Sequence, residues 1–113
     1  MSKLTIYHNP RCSKSRQTLE LLRSRDLEPQ IVEYLKTPLD ESALSELLAQ
    51  LELPVQQLVR AQDFRALGLP EPADEQGWIA ALAAHPKVMQ RPVVVAGGKA
   101  RLGRPPENVL EIL

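Results

Sequence analysis

Thiol chemistry in this sequence is confined to one residue, because Cys12 is the only cysteine among 113 residues. A single cysteine excludes an internal disulfide and a zinc site built from several thiolates, so no metal centre is expected. If Cys12 does redox work, the second thiol comes from another molecule. Excess charge is also missing: fourteen Lys and Arg balance fourteen Asp and Glu. No overall basic field therefore directs the chain to nucleic acid or to an anionic membrane, and any anion site must be local. No apolar run approaches the length needed to span a bilayer. Met1-Ser2-Lys3 leads directly into a strand pattern, without the charged and apolar regions of a signal peptide. A cytoplasmic protein is expected, in a reducing compartment where a free thiol survives. The length suits one domain with one modest core. No apolar stripe is left once each helix is given one buried face, so a monomer is expected.

What is present centres on Tyr7-His8-Asn9-Pro10-Arg11-Cys12-Ser13-Lys14-Ser15-Arg16. Cys12 follows a strand-like segment and precedes a helix-like one. A helix N-terminus offers unpaired N–H groups and the positive end of the dipole, and both favour a thiolate. Lys14 and Arg16 add positive charge, and His8 titrates near neutrality. A lone cysteine is commonly a buried structural residue. These polar and basic neighbours favour a reactive one. Nine of the fourteen basic residues are arginines, whose forked guanidinium suits oxyanions.

Lys3 to Tyr7 reads as a strand, Ser13 to Arg25 as a helix and Gln30 to Tyr34 as a second strand. Together they predict a βαβ unit with parallel strands. Thr37-Pro38-Leu39-Asp40 reads as a helix start, with Thr37 as the N-cap, Pro38 in the first helical position and Asp40 in the first turn. Leu44, Leu47, Leu48 and Leu51 continue that helix. A second short helix is expected from Pro54 to about Arg60, and a loop from Leu67 to Gln76. A further helix carries Trp78, Ile79 and Leu82, with Trp78 in the core and His85 at the helix end. Pro92 to Ala96 and Lys99 to Leu102 flank Gly97-Gly98 as a hairpin, and Pro105-Pro106 opens a last helix through Leu113.

The sequence resembles the ArsC family, the glutaredoxin-coupled arsenate reductases, and most closely their short YfgD-type branch. The resemblance covers essentially the whole chain. It rests on Tyr7-His8-Asn9-Pro10-x-Cys12-x-x-Ser15-Arg16, on Arg91-Pro92-Val93-Val94-Val95 and on Leu102-Gly103-Arg104-Pro105. It implies an α/β, thioredoxin-like fold with a mixed four-stranded sheet, in one domain over residues 1–113. A helical insertion of about residues 38–86 would separate the βαβ unit from a ββα unit.

The resemblance further implies arsenate as substrate, attacked by Cys12 and held by Arg60, Arg91 and Arg104. Glutathione would act as co-substrate, with no bound cofactor, and glutaredoxin would resolve a Cys12–glutathione disulfide. Pro92 stands where this fold has a cis-proline facing the thiol. Ser15 and the loop N–H groups are assigned to the sulfur, and Asn9 to holding the loop. Arg16 is a candidate support of the loop or contact for a glutathione carboxylate. His8 has two open readings, a protonated group that favours the thiolate or a hydrogen-bonding residue at the strand end. After the cysteine stands Ser13-Lys14, where members with reductase activity usually carry Gly-Thr.

Other readings compete with arsenate reduction. One is an ArsC-like thiol oxidoreductase with another substrate. Another is a non-catalytic regulator similar to the Spx proteins, which use the same fold to bind RNA polymerase. Cys12 and Ser15 stand where many of those regulators carry two cysteines. A tyrosine-phosphatase-like loop needs an arginine six positions after the cysteine, and position 18 is Thr18.

Overall fold

The structure is a computed structural model and describes residues 4–113. Met1, Ser2 and Lys3, the last of them the expected start of the first strand, lie outside the described residues. The chain divides into two compact units, Pro38–Gln90 and the described part of Met1–Thr37 with Arg91–Leu113.

In the unit that carries both termini, four strands form one mixed sheet. They are β1 (Leu4–His8), β2 (Gln30–Glu33), β3 (Val93–Ala96) and β4 (Lys99–Leu102), in the order β2-β1-β3-β4. β1 pairs parallel with β2 and antiparallel with β3, and β3 pairs antiparallel with β4. Helix α1 (Ser13–Ser24) connects β1 to β2, because parallel neighbours need a crossover rather than a tight turn. Ile6 of β1 and Leu22 of α1 form a fully buried cluster with Val94 and Val109. Successive strand residues face opposite sides of a sheet, so His8 shares the Ile6 side that packs on α1.

Gly97 and Gly98 have φ of 58° and 79°, which a two-residue hairpin turn of this hand demands and which glycine supplies without steric cost. The last segment, Pro106–Ile112, is a 3-10 helix rather than an α-helix. Over seven residues few α-type rings can close, and the tighter pattern begins with Asn108 N–H donating to Pro105 O at 3.0 Å.

The second unit consists of α2 (Glu41–Leu51), a 3-10 turn (Val55–Leu58), α3 (Ala61–Ala66), α4 (Glu75–Ala84) and a 3-10 turn (Pro86–Val88). Leu44, Leu47, Leu48, Leu51, Phe64, Trp78, Ile79 and Leu82 are buried in it, and the Phe64 and Trp78 ring centroids lie 4.9 Å apart.

Three boundaries differ from the sequence expectations. The N-cap of α2 is Asp40 rather than Thr37, because its Oδ1 accepts the Ala43 N–H at 2.8 Å, while the Thr37 N–H is turned back onto Glu33 O at 3.0 Å. The helix expected through Arg60 stops at Leu58. Val59 bridges Met89 in antiparallel fashion, Gln90 N–H donates to Leu58 O at 2.7 Å and Arg60 N–H to Val88 O at 2.6 Å. This long-range pairing overrides the local helical pattern and starts α3 beyond it. The expected loop ends at Asp74, whose side chain accepts the Gly77 N–H at 2.8 Å and opens α4 at Glu75.

Candidate active site

β1 ends at His8, and Asn9-Pro10-Arg11-Cys12 forms a tight turn closed by Cys12 N–H donating to Asn9 O at 3.0 Å. Asparagine and proline suit the first two positions of such a turn. The Asn9 side chain adds a second tie, accepting the Arg11 N–H on Oδ1 at 3.0 Å. Arg16 Nη1 donates to Pro10 O at 2.9 Å, so this exposed arginine braces the loop.

Cys12 is thereby placed as the N-cap of α1, in an extended conformation with φ −90° and ψ 124°. It is partly exposed. Its sulfur closes no cap hydrogen bond of ordinary geometry, but it faces the unpaired N–H groups of the first turn. Burial pushes the thiol pKa up. The backbone N–H groups of Ser15 and Lys14, with a hydrogen bond and the charge of the Arg91 guanidinium, outweigh it and leave the thiol below its ordinary value.

Ser15 is fully buried, and its hydroxyl is not the group that meets the sulfur. Its Oγ lies 2.6 Å from His8 Nδ1 and accepts the Asn9 N–H at 3.0 Å. A buried hydroxyl must find partners, and on the sheet side of α1 those partners are His8 and Asn9. Ser15 reaches the sulfur through its backbone instead. His8 is itself only 6% exposed. Desolvation sets its pKa below the usual histidine value, helped by Arg23 and Arg16 and opposed by Glu33. Burial thus favours the uncharged ring, which serves as a hydrogen-bonding group at the end of β1.

Arg91 lies two residues ahead of β3, and the Arg91–Pro92 peptide is cis, as is Arg104–Pro105. Arg104 Nη1 donates to Arg91 O at 3.0 Å, so these two arginines stand together in one unit with Cys12. Arg60 belongs to the other unit. There it is the N-cap residue of α3, and its Nε lies 3.4 Å from Asp63 Oδ2.

Two residues not singled out in the sequence complete the site, Gly103 and Thr18. Gly103 N–H donates to Pro92 O at 2.9 Å. A Cβ on Gly103 would stand 2.5 Å from Thr18 Oγ1 and 2.7 Å from Pro92 Cγ. Thr18 is fully buried and donates its hydroxyl to Lys14 O at 2.8 Å. The Leu102-Gly103-Arg104-Pro105 motif was visible, but not that its glycine lies against α1.

Removing the Arg91 guanidinium takes away the one side-chain hydrogen bond and charge that lower the Cys12 pKa. Arg91→Ala is expected to move the midpoint of Cys12 alkylation by iodoacetamide to higher pH, read as rate against pH. An unchanged midpoint would mean that the backbone N–H groups of α1 suffice.

A thiol at the head of the first helix after β1, its pKa lowered by an arginine two residues ahead of β3, defines a thiol-centred site on a thioredoxin-like sheet. The model of the ArsC family matches residues 7–112. The chain is 48% identical over 115 residues to the Escherichia coli K12 protein YfgD, itself uncharacterized, with 98% of this chain and 97% of that one covered. It is 42% identical over 117 residues to an arsenate reductase of Neisseria meningitidis, with both chains fully covered. Among solved structures, the arsenate reductase from Vibrio cholerae superposes with a TM-score of 0.89 at 44% identity, covering 98% of each chain. The chain belongs to the ArsC family. No helix among the described residues is long and apolar enough to cross a membrane.

Proposed function

We propose that this chain is an arsenate reductase that draws its electrons from glutathione and is recycled by glutaredoxin. The observation that carries this reading is the Arg91 guanidinium on an N-capping thiol whose pKa is lowered. The 42% identity to an arsenate reductase along the whole of both chains supports it.

Arsenate is a tetrahedral dianion at neutral pH and is repelled by a bare thiolate. Arg91 and Arg104 offset that repulsion and hold the oxyanion through forked hydrogen bonds. Cys12 attacks arsenic, an oxygen leaves as water, and a Cys12 S–As bond forms. Glutathione then supplies the second sulfur. The S–As bond breaks, an S–S bond forms between Cys12 and glutathione, and arsenic leaves as arsenite. The two electrons that take arsenic from the five to the three state come from the two thiols that become this disulfide. Glutaredoxin removes the glutathione and returns the Cys12 thiol. No bound cofactor takes part, and the reaction belongs to the cytoplasm, where glutathione stays reduced.

The test couples the native chain to glutathione, glutaredoxin and glutathione reductase and follows arsenate-dependent NADPH oxidation, leaving out one component at a time. Turnover that needs arsenate, glutathione and glutaredoxin together is expected. A folded chain with a reactive Cys12 and no arsenate-dependent turnover would overturn the reading in favour of another thiol-linked substrate.

A further inference from the structure

Beneath the thiol loop, His8 and Glu33 are register partners in the parallel β1–β2 ladder. Their side chains therefore leave the same face of the sheet side by side. His8 commits Nδ1 to Ser15 Oγ at 2.6 Å, and that oxygen also accepts the Asn9 N–H at 3.0 Å. One proton must lie between Nδ1 and Oγ. Either the Ser15 hydroxyl donates to a bare Nδ1 and the ring proton sits on Nε2, or Nδ1 carries the proton and Ser15 receives two N–H groups. The Glu33 carboxylate acts on the ring through its charge, and a negative charge favours a proton on the nitrogen that Ser15 leaves free.

We propose that Glu33 is a positioning residue acting through His8, its carboxylate holding the imidazole proton on Nε2 so that Nδ1 accepts the Ser15 hydroxyl. The proposal rests on Cys12 as the reactive thiol of the function above. Ser15 is the link to it: its hydroxyl is pinned between His8 and Asn9, and its backbone N–H is one of the two that lower the Cys12 pKa. A His8 ring in the other form would turn Nδ1 from acceptor to donor and release the Ser15 hydroxyl proton from the pair. The charged groups acting on His8 are Glu33 from β2 and Arg16 and Arg23 from α1, the two arginines opposing a charged ring. Lys36 Nζ, 3.6 Å from Glu33 Oε1, shares the carboxylate. The Glu33 side chain is 40% exposed, so its influence is screened by salt and its replacement leaves no buried cavity.

Nitrogen-15 chemical shifts of the His8 ring, followed against pH in the native chain, Glu33→Gln and Glu33→Asp, test the proposal without arsenate. The native ring is expected to carry its proton on Nε2 when neutral. In Glu33→Gln the neutral ring should become a mixture of the two forms and its protonation midpoint should move to lower pH, since a charged imidazole loses its counter-charge. Glu33→Asp keeps the charge and should retain the Nε2–H form. A native ring protonated on Nδ1, or a Glu33→Gln ring identical to the native one, would overturn the role of Glu33. Because these shifts are read on the free protein, the proposal stands or falls separately from arsenate turnover.

Discussion

Cys12→Ser is expected to abolish arsenate-dependent NADPH oxidation, by at least roughly 10⁴-fold, as removal of a nucleophile does, and to leave the fold intact. The loop N–H groups and Arg91 lower the pKa of the thiol, but a serine hydroxyl starts far too high for the same groups to ionise it. The substitution should be well tolerated, since serine is among the preferred N-cap residues and Cys12 closes no cap hydrogen bond of ordinary geometry. The pair of proteins also reads the thiolate through stability. The Cys12 pKa is lowered in the folded chain, so the folded state binds fewer protons at this site than the unfolded state in the interval between the two midpoints. The resulting stabilisation is fully present above the unfolded value and is lost as pH falls through the folded one. Melting temperatures of the native chain relative to Cys12→Ser should therefore rise with pH across that interval and level off above it. A difference independent of pH would show that the fold does not favour the thiolate, and retained turnover in the serine variant would remove Cys12 from the reaction.

The parts of this protein that could be read from its sequence are those made by neighbours in the chain. Asn9-Pro10 announces the turn, the change from strand to helix pattern places Cys12 at a helix start, and Gly97-Gly98 marks the hairpin. Each of these is decided within a few residues, and so is the order of strands and helices that follows from them. What could not be read depends on contacts distant in sequence. The helix expected through Arg60 yields to the pairing of Val59 with Met89. The choice of Asp40 over Thr37 as N-cap turns on which side chain meets an unpaired N–H of the first turn, and Asp40 Oδ1 takes that of Ala43. Ser15 shows the same limit on a smaller scale. Its position after the cysteine associates it with the sulfur, yet burial against β1 decides that its hydroxyl goes to His8 and Asn9 and only its N–H to Cys12.

Gly103→Ala is expected to destabilise the protein by about 1–3 kcal/mol, the usual cost of forcing a group into a filled interior. For a chain of this size that is a loss of roughly 4–8 °C in melting temperature for each kcal/mol. The added methyl would meet Thr18 Oγ1 at 2.5 Å and Pro92 Cγ at 2.7 Å, and neither can give way easily. Thr18 is fully buried with its hydroxyl on Lys14 O, and Pro92 is a rigid ring tied through its own carbonyl to Gly103 N–H. Relief by moving Thr18 pulls on the first turn of α1, which supplies the N–H groups of the thiol site. Relief by moving Pro92 displaces Arg91 beside it. Either adjustment should raise the pH midpoint of Cys12 alkylation as well as lower the melting temperature, although Gly103 touches no reacting atom. Thr18→Ala removes one of the two obstacles, so in the double variant the two losses should sum to less than the separate costs, the mark of residues in contact. Native melting behaviour in Gly103→Ala would mean that Thr18 and Pro92 part without cost, and the close approach of Gly103 to Thr18 of α1 would then not be what holds the first turn under the thiol.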